Sequence, residues 1–307
     1  MDLIKILKQF NIVAPKVQFL NESSDNKSYL IFEGTFKRVL RISKKNINKS
    51  IEFELELINF LRSKGINTPM YFQTNKKKFF YQKKGLCAIL FSFMEGSKVR
   101  GLADKEKIIR AGELLGKIHA STLNVKLKSR QKRNIFTEFK RLLKYKTYIR
   151  TNYINGSQII NEVMHYFKFG EKNSRSDVII HNDFRPQNIL FDSKNNVLNV
   201  VDFDWACYGN LEKDLGLAIA EWTFPDNFNK PWVPGGEHFL EGYNRFSPKK
   251  FNIDNQYLIK WICFSCISDT ATYIIDHKVF DNNLPKKQLI NSYMYKKFMY
   301  YKNYLNE

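Results

Sequence analysis

HNDFRPQNILFDSKNNVLNVVDFD, running from His181 to Asp204, decides the fold of this 307-residue chain. It opens as a polar, turn-rich loop and passes through the apolar triplet Ile189 to Phe191. A hairpin tip at Asp192 to Asn196 leads into the apolar run Val197 to Val201, which delivers Asp202. Two short strands joined in this way can point three oxygen-bearing side chains, Asp183, Asn188 and Asp202, at one spot. Transfer of a phosphoryl group from a nucleotide needs a carboxylate to orient and deprotonate a hydroxyl, and hard oxygen ligands for magnesium. Asp183 suits the first task; Asn188 and Asp202 suit the second. An ordinary hairpin with Asp and Asn as turn residues has a similar composition, but it leaves the convergence of the three side chains without a reason.

His181, Asp183 and Asn188 match the HxDxxxxN catalytic loop of the aminoglycoside phosphotransferase and choline kinase family, a branch of the protein-kinase-like fold. Asp202 resembles the magnesium aspartate that follows that loop. The resemblance implies an α+β, two-lobed protein: residues 1–94 as a small antiparallel-sheet lobe with one main helix, binding the nucleotide, and residues 95–307 as a larger, mostly helical lobe for catalysis and substrate. It implies ATP and Mg2+ as cofactors and a small-molecule hydroxyl as acceptor. Asn188 and Asp202 are the expected metal ligands. Asp204 is open between a second metal contact, a group for a cationic part of the substrate, and a salt bridge within the loop. His181 is expected to support the loop through hydrogen bonds, because no nucleophile and orienting group accompany it.

Upstream, Leu3, Ile4, Leu7 and Phe10 recur at helical spacing, and three antiparallel strands are expected over 17–22, 28–34 and 37–42, with Glu33-Gly34 as a tight turn. In the family the polar turn Asn21 to Lys27 covers the phosphates. Here it carries Asn26 and Tyr29, but Ser23 and Ser24 where glycine is usual; serine hydroxyls and backbone amides can still hold phosphate. Arg41 stands where the fold places a phosphate-clamping lysine, keeping the charge while offering two parallel donors. The helix over Ile51 to Lys64 puts Glu54 on the apolar face of Leu57, Ile58 and Leu61, where a carboxylate wants a partner; the resemblance to a kinase-like lobe makes Arg41 the natural one. Glu56 points elsewhere and is expected at the surface. Gly65 ends the helix. Strands over 78–82 and 86–93 lead to the expected hinge, where backbone groups of Ser92, Phe93 and Met94 would bind adenine.

Ala103 to Ala120 is expected to be helical, with His119 structural, and residues 124–175 form a basic, aromatic, helical region. Beyond Asp204, DFDWACYGNLEKDLGLAIAEWTF and the later HFLEGYNRF resemble the branch that contains homoserine kinase type II, as does the GINTP that follows Gly65. Asp214 would cap the following helix or brace the catalytic loop. Gln256 to Ile275 and Pro285 to Tyr304 are expected as closing helices.

Composition sets the bounds. Hydrophobic content of 43% and aromatic content of 15% describe a packed globular chain, and no apolar run is long enough to span a bilayer. MDLIKILKQF is too short and charged for a signal peptide, so a cytoplasmic protein that is not membrane-bound is expected, monomeric or homodimeric. The net charge of +20 would suit nucleic acid, but the Lys and Arg residues are scattered and form no compact reader motif. Cys263 and Cys266 form one CxxC within an apolar helix, which reads as core packing. Two alternatives accompany the small-molecule kinase: a protein serine/threonine kinase, disfavoured by the short span between Asp202 and Asp214, and a non-catalytic nucleotide-binding or scaffold protein, disfavoured by the presence of all three key polar residues.

Overall fold

A computed structural model of the chain describes residues 2–22, 26–43, 48–83, 85–99, 101–129, 133–153, 155–224, 231–276 and 293–305. Ser23 and Ser24 of the expected phosphate turn lie outside the described residues, as does the start of the last expected helix. The fold is two-lobed α+β, and the chain forms two compact units. One comprises Met1–Gly96, Leu127–Lys132 and Asn199–Asp204; the other comprises Ser97–Lys126, Arg133–Leu198 and Trp205–Glu307.

The first unit begins with α1 (Leu3–Lys8), whose first turn is capped by the Asp2 carboxylate accepting from Lys5 N–H. Then come β1 (Lys16–Glu22), β2 (Asn26–Glu33), β3 (Phe36–Ser43), α2 (Asn48–Ser63), β4 (Tyr81–Lys83) and β5 (Leu86–Ser92). The strands form one antiparallel sheet in the order β1-β2-β3-β5-β4. Gly34 adopts φ 59° in the turn between β2 and β3, a conformation that glycine takes without a Cβ penalty. Alternation along the strands sends Ile31, Leu40, Ile42, Ala88 and Leu90 into a core shared with Ile6, Leu7 and Phe10 around α1.

The second unit holds β6 (Ser97–Lys98), α3 (Lys105–Thr122), α4 (Thr137–Leu143), α5 (Lys146–Asn152), α6 (Gly156–Asn173) and β7 (Val178–Ile180). A single 3-10 turn (Pro186–Asn188) precedes β8 (Ile189–Phe191); β9 (Val197–Val200) starts here and runs on into the segment that belongs to the first unit. After it follow β10 (Cys207–Gly209), α7 (Leu211–Trp222), α8 (Val233–Phe246), α9 (Gln256–Ile274) and α10 (Tyr293–Asn303). β10 pairs with β7 in antiparallel register, Cys207 opposite Ile180, so the stretch after Asp204 is a short strand and not a long activation segment. α3 and α8 cross at glycines: a Cβ on Gly112 would run into the Phe239 carbonyl and sit 2.8 Å from Tyr243 N, and one on Gly242 would meet the backbone of Ile109. The CxxC thiols are buried and free, as core packing requires. Burial pushes the Cys263 thiol up to about 12, far from the reactive range.

Candidate active site

In the first unit, β3, α2 and the Asn199–Asp204 segment bring four charged side chains together. The Glu54 carboxylate, 4% exposed on the inner face of α2, accepts from Arg41 Nη2 at 3.3 Å through both oxygens. It also accepts from the Tyr71 hydroxyl. Arg41 Nη1 reaches Asp202 Oδ1 at 3.4 Å and Asp204 Oδ2 at 4.0 Å, and its guanidinium lies over the Phe91 ring. Burial works against the Arg41 cation, but the Glu54 carboxylate, with Tyr71, Asp204 and Asp202 behind it, carries it well above its ordinary range. Burial pushes the Glu54 carboxyl up and Arg41 pulls it back, so this is a buried pair whose charge is held by its partner. Tyr71 had no signature in the sequence; it enters because the chain at residue 71 bridges to Phe91 of β5.

Asp202 takes φ 72°, a left-handed conformation uncommon for a residue with a side chain, and its carboxylate is 44% exposed. Asn26 opens β2 opposite Ser43. At the expected hinge, Ser92 N–H donates to Met70 O at 2.8 Å and Phe93 N–H to Lys37 O at 3.3 Å, while Ser92 Oγ accepts from Met70 N–H. The amides of Ser92 and Phe93 are therefore engaged within this unit. Glu56 stays near the surface, half-buried, and its two oxygens accept from Lys128 N–H at 2.8 Å and Ser129 N–H at 2.9 Å. Those bonds outweigh burial and lower its carboxyl below the usual range.

The catalytic-loop candidates all lie in the second unit. Asp183 is gripped from two sides: Arg185 Nε donates to Oδ1 at 2.6 Å, and Asn188 Nδ2 donates to Oδ2 at 2.8 Å and to the Asp183 carbonyl at 2.9 Å. With its amide nitrogen committed to Asp183, Asn188 presents Oδ1 as its remaining ligand atom. His181 is fully buried, stacks edge-on against Phe184 and accepts from Asp183 N–H at 3.3 Å through Nδ1.

Asp214 braces that loop and does not cap α7, where Asn210 is the N-cap. Asp214 is fully buried; its Oδ2 accepts from His181 N–H at 2.8 Å and contacts His119 Nε2 at 3.1 Å, and its Oδ1 accepts from Asn182 N–H at 2.8 Å. His119, also fully buried, holds the Tyr243 hydroxyl at 2.8 Å with its other nitrogen. Asn182, at φ 64°, donates to Trp205 O at 3.1 Å and accepts from the buried Lys213 ammonium. Burial lowers the Lys213 pKa, against the opposing pull of Asp214.

Asp183 borders a cavity of about 240 Å³ whose wall includes Arg133, Asn182, Arg185, Lys213 and Asp269. Sequence reasoning named none of those five. Arg185 had the plainest signal, a cation two places after the candidate base. Asp269 had another: SCISDTAT interrupts an apolar helix with polar residues. Among the described residues no group of three or more His, Cys, Asp or Glu forms a metal site. No helix among them is long and apolar enough to cross a membrane.

The homoserine kinase of Methylocella silvestris is 24% identical over 228 residues, spanning 73% of this chain and 70% of that protein. The homoserine kinase of Brucella anthropi is 24% identical over 252 residues, spanning 80% and 76%. An amicoumacin kinase solved in complex with AMP-PNP, Ca2+ and Ami superposes with a TM-score of 0.71 at 14% identity over 94% of this chain and 87% of that one. A microcompartment-associated aminopropanol kinase superposes with a TM-score of 0.70 at 15% identity over 99% and 97%; at such identities the likeness speaks for the fold. Residues 16–248 match the model of the phosphotransferase enzyme family. On that match, which takes in the catalytic-loop candidates and the Arg41–Glu54 pair alike, the chain belongs to the phosphotransferase enzyme family.

Proposed function

We propose that this protein transfers the γ-phosphoryl group of ATP to the hydroxyl of a small molecule in a magnesium-dependent reaction. An amino alcohol, an amino acid such as homoserine, choline and an antibiotic are the acceptor classes in view. The observation that carries this reading is Asp183, a carboxylate fixed by Arg185 and Asn188 at the edge of a polar cavity. Asp183 accepts the acceptor's hydroxyl proton and aims its oxygen. A new bond forms from that oxygen to the γ-phosphorus, the bond from phosphorus to the β,γ-bridging oxygen breaks, and ADP leaves with the electron pair. Asp183 has two fixed donors, so its geometry is set before the acceptor arrives.

Arg41, anchored by Glu54 and Tyr71, steadies the nucleotide phosphates. The Met94 backbone is the better candidate for adenine, since the Ser92 and Phe93 amides are engaged within the first unit. Nucleotide binding is assigned to the first unit, and catalysis and acceptor binding to the second. Asn188 through Oδ1 and Asp202 through its carboxylate are the proposed metal ligands, with Asp204 as a further candidate. Hard oxygen donors of this kind fit Mg2+. When bound, the ion neutralises charge on the phosphate oxygens.

The test pairs two variants with nucleotide affinity by calorimetry and phosphoryl transfer to a panel of alcohols. Asp183→Asn keeps size but loses basicity, and turnover is expected to fall roughly 10²–10⁴-fold with ATP affinity preserved. Asp202→Ala is expected to abolish magnesium-dependent turnover in a folded protein. Near-normal turnover by either variant refutes the role given to that residue, and ATP binding without transfer by the wild type to any metabolite, drug or protein moves the chain to the scaffold reading.

A further inference from the structure

α9 is apolar along nearly its whole length, with Leu258, Trp261, Ile262, Phe264, Ile267 and Ala271 all buried. One stripe departs from this. Ser265, Ser268, Asp269 and Thr272, spaced i, i+3, i+4 and i+7, share a face of the helix and all line the cavity that Asp183 borders. Ser265 has an internal task, donating to Lys213 O at 2.7 Å. Asp269 has none of comparable strength. Among the described residues no donor reaches its carboxylate within hydrogen-bond distance, and the nearest cation, Arg185 Nη2, lies 3.8 Å from Oδ1.

The other ionic groups of the wall are engaged at closer range. Arg185 serves Asp183, Glu138 is held by Arg141 at 2.5 Å, Lys213 donates to Asn182, and the Arg133 guanidinium lies 3.8 Å from the Trp205 ring centroid. Burial holds the Asp269 carboxyl above its usual range, opposed by Arg185. The side chain keeps 28% exposure, so water reaches the carboxylate from the cavity, and a bound donor would take that water's place.

We propose that Asp269 is the specificity-determining residue of the acceptor cavity, receiving the protonated amine of a compact amino alcohol whose hydroxyl lies at Asp183. An ammonium brings three donors and a full charge to a carboxylate that a lone hydroxyl would satisfy with one. The cavity, about 240 Å³, has room for a metabolite with one amine and one hydroxyl a few bonds apart. This inference rests on the kinase reading of the site, and its test separates the two.

The probes are matched pairs with and without the amine: L-homoserine against 4-hydroxybutanoate, and 3-aminopropan-1-ol against propane-1,3-diol. Binding is followed by calorimetry in the presence of ADP, and transfer from ATP is followed in parallel, for the wild type, Asp269→Asn and Asp269→Glu. The wild type is expected to prefer the amine member of at least one pair by tenfold or more. D269N should lower its affinity for that member about 10–100-fold, the scale of a charge-assisted hydrogen bond, and erase the difference within the pair. D269E, which keeps the charge, should retain part of it. Equal binding within both pairs by the wild type, binding of neither pair, or an equal loss for both members in D269N overturns the inference. The last result would mean that Asp269 only positions Arg185. If D269N does not fold, the wild-type discrimination and D269E decide. Discrimination at Asp269 without any transfer from ATP would instead refute the kinase reading and leave the amine site standing.

Discussion

Replacing Asp214 tests whether one buried carboxylate holds the catalytic loop in shape. Its side chain is fully buried and takes three donors, His181 N–H at 2.8 Å, Asn182 N–H at 2.8 Å and His119 Nε2 at 3.1 Å. Asp214→Ala leaves all three buried without an acceptor. Each orphaned donor costs about 1–3 kcal/mol, and because the three share one site their losses do not add in full, so the total is expected near 3–5 kcal/mol. Asp214→Asn keeps the shape and one oxygen. With that oxygen turned to His181 and His119, the new amide faces only the Asn182 N–H, and the cost is about 2 kcal/mol.

The pH dependence of that difference has a definite sign. Burial alone would raise the Asp214 carboxyl, but the His119 hydrogen bond and the fields of His119, His181 and Lys213 bring it below the usual range. A depressed folded-state pKa gives stability that is present above the unfolded value of about 3.9 and is lost as pH falls through the folded one. The gap between wild type and D214N should therefore be constant from neutral pH down to about 4 and close below it. Urea unfolding followed by tryptophan fluorescence at several pH values reads both effects. A D214A protein within about 1 kcal/mol of wild type, or D214N as damaging as D214A, would refute this account of the loop.

Two further perturbations address the rest of the scaffold. Arg41→Met leaves Glu54 buried beside Tyr71 without its cation and is expected to cost about 3–5 kcal/mol at neutral pH; the Glu54 pKa then rises further, so the variant should lose less relative to wild type near pH 4–5 than at pH 8, checked by unfolding midpoints across that range. Gly112→Ala forces a methyl against the Phe239 carbonyl and Tyr243 N where α3 and α8 cross, and is expected to destabilise by about 1–3 kcal/mol in thermal unfolding.

The sequence by itself determined the main elements of the first unit and their type. Alternating apolar residues over Lys16–Ser43 and the spacing of Leu57, Ile58 and Leu61 depend on local periodicity, so β1, β2, β3 and α2 were legible to within a few residues. Asp183 and Asn188 were legible for a related reason: five residues of one loop close on themselves, and the Asn188–Asp183 hydrogen bonds are local. That Glu54 needs a partner could also be read, because it is a carboxylate on an apolar helix face; that the partner is Arg41 followed from the resemblance to a kinase-like lobe. Tertiary structure decided what comes from distant chain. Tyr71 reaches Glu54 across 17 residues, His119 reaches Asp214 across 95, and Glu56, near the surface as expected, finds amides 72 and 73 residues away. Asp269 joins the cavity of Asp183 only because α9 packs there, beside α7. A polar stripe on an apolar helix announces that something must be satisfied; which cavity it faces depends on packing among elements that no local spacing encodes.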